Sequence, residues 1–139
     1  MELDRTLAVR LTLAALTSGA AAVHFAMTPQ HAQESIVLGI GFVVGAWAQV
    51  VVAGMLLARP GRATLTWGAF VQLALVGVWA LSRTYGLPFG PDRWTPEPIG
   101  TADVITVGLE AAFVVLAVLA LGSRRRVPLV AGLVAAALV

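Results

Sequence analysis

Four largely apolar runs, each about 20 residues long, dominate this chain. They cover roughly residues 7–27, 36–58, 63–82 and 102–121. A helix needs about 20 apolar residues to cross the roughly 30 Å hydrocarbon layer of a bilayer. Strands of an outer-membrane barrel are shorter and alternate apolar with polar residues, a pattern these runs lack. A helix also satisfies its own backbone hydrogen bonds in lipid. The expected fold is therefore all-α: an integral membrane four-helix bundle forming one transmembrane domain over residues 1–139. Composition agrees. The chain is 59% hydrophobic and only 12% charged, against about 25% charged in ordinary soluble domains. Its mean hydropathy is +0.90. Such a chain has too little polar surface to cover itself in water, so the lipid bilayer is its expected partner.

Proline and glycine set the expected boundaries. Pro29 is expected to close the first span, and Arg59–Pro60–Gly61–Arg62 to form a short turn. Pro88, Pro91, Pro96 and Pro98 are expected to keep the long segment before the fourth span irregular. The tail of residues 127–139 is apolar but short. As a helix it spans about 20 Å, less than a bilayer crossing, so it is expected to lie at the interface, re-enter, pack on a partner or form a short tilted helix. The first run, with acids before its arginines and polar residues inside it, reads as a retained span rather than a cleaved leader.

All nine basic residues are arginines, and they flank the apolar runs. Arg5, Arg10, Arg59, Arg62, Arg124, Arg125 and Arg126 fall on one side of a four-span topology. Arg83 and Arg93 fall on the other. The positive-inside rule then puts the N-terminus in the cytoplasm of a multi-pass protein of a bacterial cytoplasmic (inner) membrane. The isoelectric point near 10.5 reflects these topology signals, and no nucleic-acid partner is expected. No cysteine is present, which excludes disulfides and thiolate metal sites.

Polar residues inside apolar runs are the best pointers to function. Glu110 lies about eight residues into the fourth run. An ionised carboxylate there needs a partner, a metal or water. Asp103, seven residues earlier, shares its face. His24 lies near the end of the first run, with His31 and Glu34 beyond Pro29. Two imidazoles with carboxylates suit a divalent metal; haem fits less well, because no axial pair follows from the spacing. His24, His31, Glu34, Asp103 and Glu110 are thus candidate ligands for a metal or a small molecule. Gln49, Gln72, Arg83 and Glu97 are candidates for a polar lining or an ion pair, with Glu97, Asp103 and Glu110 as the candidate acids for Arg83. Gly41 and Gly45 form a small-xxx-small pair suited to helix packing. Trp79, Tyr85 and Trp94 suit a membrane interface.

Ser82–Pro91, "SRTYGLPFGP", followed by Trp94, "PEPIGTAD" from Pro96 and then Glu110, resembles a group of small four-helix membrane proteins of high-GC actinobacteria. The resemblance runs from about His24 to Leu121. It implies the fold and no activity. Three functions remain open from the sequence. The first is an outward-facing polar cavity that binds a metal ion or small ligand, related to transport. The second is an accessory subunit of a larger membrane complex, or a homo-oligomer. The third is a membrane enzyme acting on a lipid or isoprenoid by acid–base chemistry.

Overall fold

In the computed structural model the backbone is described for residues 2–137 and the side chains for residues 6–123. Four helices account for the architecture: α1 (Glu2–Glu34), α2 (Ile36–Ala58), α3 (Arg62–Thr84) and α4 (Thr101–Ala137). All four are long and apolar enough to cross a membrane. Each helix packs on two neighbours, so the bundle is a closed ring in the order α1, α2, α3, α4.

Two expected boundaries move. Pro29 does not end the first helix; α1 continues through it to Glu34. Proline removes the amide that would bond the carbonyl of Phe25, yet nearby side chains supply donors to the same turns. Thr28 Oγ1 donates to the His24 carbonyl at 2.9 Å, and His31 Nδ1 donates to the Met27 carbonyl at 3.0 Å. Neither bond reaches the Phe25 carbonyl, and the helix continues past its one missing amide, as membrane helices can. At the other end, the backbone of α4 runs on past residue 121 as one helix to Ala137. The side chains of the tail 127–139 lie outside the described residues, as does its relation to the membrane.

Residue chemistry explains the tight connections. Only Ser35 separates α1 from α2. Gly39 meets Ala32 across this reversal, and a Cβ on Gly39 would lie 2.8 Å from the Ala32 Cα. At the opposite end, the three residues 59–61 join α2 to α3. Arginines at this end cap helix carbonyls. Arg10 donates to the carbonyls of Leu56 (3.1 Å) and Leu57 (2.8 Å), and Arg62 donates to that of Leu121 (3.3 Å). At the C-terminal turn of α2, the Arg10 cation satisfies free carbonyls and opposes the helix dipole, whereas Arg62 bonds a carbonyl within α4.

The half of the bundle nearest these arginines is densely packed. Leu13, Ala14, Val52, Ala53, Leu56, Leu65, Ala69, Phe113 and Ala117 form its core. Gly68 is required there: a Cβ would sit 2.7 Å from Phe113 Cζ and 3.0 Å from Val52 Cγ1. The exterior carries large apolar side chains, among them Trp47, Phe70, Val115 and Leu119. Gln49, Gln72 and Glu110 are buried instead. Apolar outside and polar inside inverts the soluble pattern and matches a multi-pass membrane protein.

Candidate functional site

Each helix sends one polar side chain to the centre of the bundle. Gln49 of α2 is the hub. Its Nε2 donates to Gln72 Oε1 on α3 and to Glu110 Oε1 on α4, both at 2.8 Å. Gln72 Nε2 donates to Thr17 Oγ1 on α1 at 2.8 Å, and Thr17 returns a bond to the Gln49 backbone carbonyl at 3.2 Å. All four side chains are buried. Glu110 lies about 14 Å along α4 from Thr101 at 1.5 Å per residue, near the middle of a roughly 30 Å hydrocarbon layer. Gln49 Oε1 has no hydrogen-bond partner.

On one side of this ring lies the apolar core. On the other, towards the 85–100 loop, the bundle opens into a cavity of about 500 Å³ that ends at Glu110. That volume is within the range of small-molecule sites. Most of its wall is apolar, from residues such as Val44, Leu75 and Val107. His24 and His31 face it from α1. His24 Nδ1 bonds the Ala20 carbonyl at 3.1 Å. A carbonyl only accepts, so Nδ1 carries the hydrogen and Nε2 of the neutral ring is an acceptor. The same reasoning applies to His31, whose Nδ1 bonds Met27. Phe42 of α2 lies between the two imidazoles, stacked on His31 at 3.9 Å and tilted against His24 at 5.4 Å.

An ion-pair cluster builds the rim. Arg83 Nη2 donates to both Asp103 oxygens at 2.8 Å, and Nη1 bonds Glu97. The Gly100 amide also donates to Asp103 Oδ2, at 2.7 Å. Asp103 therefore stabilises the first turn of α4 while it anchors α3. Glu97 belongs to the loop, so this cluster ties the loop to both helices. The Glu97 amide bonds the Ser82 carbonyl at 3.1 Å. Gly86 turns the chain out of α3 with φ +76, where its missing Cβ would meet the Trp94 and Thr95 backbone. Leu87 and Phe89 then lie over the cavity.

These positions sort the residues singled out in the sequence. His24, His31, Asp103 and Glu110 line one cavity, as do Arg83 and Glu97. Glu34 does not; it is exposed at the end of α1. Among the described residues no three His, Cys, Asp or Glu side chains come together to hold a metal ion; Asp103 bonds Arg83 and the Gly100 amide, and Glu110 bonds Gln49. Glu110 is not a partner of Arg83. Gly45 packs as expected: a Cβ there would lie 3.0 Å from Leu75 Cδ2 and 3.9 Å from His24 Nε2. Gly41 does not pack. It faces open space and lines the cavity, because α2 and α3 separate above the Gly45–Leu75 contact. Tyr85 and Trp94 are exposed at the loop end, whereas Trp79 is half-buried and lines the cavity. Thr17 and Phe42 escaped the sequence reading. Thr17 carried one signal, a hydroxyl in mid-span. Phe42 had none to distinguish it from a lipid-facing aromatic. Comparison with family models, with curated proteins and with solved structures gives no match to this chain.

Proposed function

We propose that this protein binds a small organic ligand in the cavity between the loop and Glu110, as a membrane-embedded receptor or carrier. The observation that carries this reading is one continuous, largely apolar space of about 500 Å³ with Glu110 and His24 on its wall. An apolar wall with a few convergent polar groups is the ordinary make-up of a small-molecule site. A metal ion is less well served, since His24 and Glu110 are left without a third ligand. The arginine distribution supports an orientation with the loop end outside a bacterial cytoplasmic membrane. The reach of the cavity to Glu110 also supports a second reading, in which this carboxyl transfers a proton on a lipid-soluble substrate.

Native mass spectrometry of protein released from lipid nanodiscs tests the proposal. A bound organic molecule at one per chain is the expected result, with its loss in Gly41→Leu, which fills open space at the cavity wall. Equal occupancy in both proteins, or a stoichiometric divalent metal that depends on His24 and Glu110, would replace this reading. Recovery only with larger membrane subunits would favour an accessory role.

A further inference from the structure

Two hydrogen-bond donors among the residues of the cavity wall are left over. Trp79 Nε1 and Arg83 Nε are buried and bond nothing among the described residues. Buried N–H groups in proteins are nearly always paired, so each calls for an explanation. The rest of the Arg83 guanidinium is engaged: Nη2 holds Asp103, and Nη1 holds Glu97 and the Ser82 hydroxyl. Trp79 and Arg83 are four residues apart on α3, which places them on one face, one turn from each other. Both line the cavity. Charge narrows the choice of partner. Asp103 and Glu97 already balance the Arg83 cation, so an anionic guest would meet two carboxylates. A neutral acceptor meets the free N–H groups without that conflict.

The cavity also has a side opening. Ile40 and Val44 on α2 and Val78 on α3 line it, yet they are 57%, 61% and 54% exposed. In a membrane-spanning bundle those exposed mid-helix faces meet hydrocarbon. Gly41, which lies between Ile40 and Val44, faces open space. The loop end is covered instead, by buried Leu87 and by the ion pair that ties Glu97 to α3. A molecule dissolved in the bilayer can therefore reach Trp79 and Arg83 from the side, without crossing the loop.

We infer that the ligand is a neutral, bilayer-dissolved carbonyl compound, which enters between α2 and α3 and sets its oxygen against the Trp79 and Arg83 N–H groups. A carbonyl oxygen offers two lone pairs and no hydrogen, so it meets unpartnered donors without adding charge. The apolar body lies along Val44, Leu75 and Val107. An apolar cavity of about 150 Å³ already takes up benzene, so the observed space holds a larger aromatic or branched body. Ketones, esters and quinones share this chemistry. The inference rests on the cavity reading above and gives it a chemical class.

The test uses the full chain in phosphatidylcholine nanodiscs and two probes of similar shape. Benzophenone carries a ketone; diphenylmethane joins the same two rings through a methylene. Light couples bound benzophenone to nearby C–H bonds, peptide mass spectrometry locates the adducts, and diphenylmethane is read as a competitor. Saturable adducts on wall residues such as Val44, Leu75 and Val107 are expected in the wild type. Trp79→Phe removes the indole N–H and keeps an aromatic face. It is expected to raise the half-saturating benzophenone concentration about threefold to tenfold, the scale of one hydrogen bond, and to leave the inhibition constant of diphenylmethane unchanged. Comparing one probe between two proteins cancels its partition into lipid. Equal effects on both probes, or none, would overturn the carbonyl assignment and leave the cavity reading standing. Adducts confined to lipid-facing residues, or no saturable labelling, would also overturn it, and the native-mass result would then decide the cavity reading separately. If Trp79→Phe does not fold, the infrared carbonyl stretch of isotope-labelled benzophenone decides. A shift to lower frequency with the wild type, relative to empty nanodiscs, is expected, and an unshifted band would overturn the assignment.

Discussion

Gln49→Leu is the most informative single perturbation of this bundle. Leucine has similar bulk and suits a membrane helix, so the change isolates hydrogen bonding. It removes two bonds of 2.8 Å, to Gln72 and Glu110. Buried side-chain hydrogen bonds in a membrane protein average about 0.6 kcal/mol in double-mutant cycles, which puts the loss at no less than about 1 kcal/mol. The substitution also leaves the Oε1 atoms of Gln72 and Glu110 without a donor. An orphaned buried acceptor costs about 1–3 kcal/mol. The two together raise the expected destabilisation to about 2–4 kcal/mol after partial relaxation. Reversible unfolding in mixed micelles with increasing SDS measures it. A cycle with Glu110→Leu then separates the terms: the double variant buries an apolar pair in place of the Gln49–Glu110 bond, so it is expected to lose less than the sum of the singles. A Gln49→Leu protein within about 0.5 kcal/mol of wild type, with additive singles, would refute the idea that the four-helix polar ring holds the bundle together.

Two further outcomes follow from packing and charge. Gly68→Ala gains up to about 1 kcal/mol of helix propensity, but its methyl group would press on the fully buried Phe113. Overpacking of this kind costs about 1–3 kcal/mol, so a net loss is expected in the same unfolding assay, and a gain would show that Phe113 can move. Arg83→Ala removes the guanidinium that joins the loop to α4 and leaves Asp103 and Glu97 unneutralised. Limited proteolysis within residues 85–100 is expected to become several-fold faster while the helices stay intact; unchanged cleavage would show that the loop's backbone bonds alone hold it.

Much of the fold was legible because lipid imposes a coarse rule. Length and continuous apolarity mark a span whatever its partners: the second and third runs match α2 and α3 to within two residues, and α1 and α4 contain the first and fourth. Pro29 was misread because a helix packed along a neighbour can continue past one missing amide, which no single-residue propensity contains. Within the site, Glu110, Gln49 and Gln72 stood out because a polar group in hydrocarbon needs a reason. Their mutual pairing did not, since residues 23 and 61 positions apart meet only through helix rotation and depth. The metal reading gains no support, since no three ligating side chains meet among the described residues. Asp103 and Glu110 do share a face of α4, but each has a nearer protein partner on another helix. The Gly41–Gly45 pair shows the same limit: one glycine admits a neighbouring helix, and the other, one turn away, admits empty space.

The closed circuit of Thr17, Gln49 and Gln72, with Glu110 held by Gln49 alone and Phe113 and Leu13 behind it, divides the molecule into a plug and a cup. Under the ligand-binding proposal, a guest entering the cavity from the loop-side half would meet a floor at Glu110. Under the same proposal, one copy of the chain would sequester a guest, sense it or hand it to a neighbour within the same leaflet. Delivery to the arginine-rich side would require all four helices to break their shared bonds together, or a second protein to open the plug.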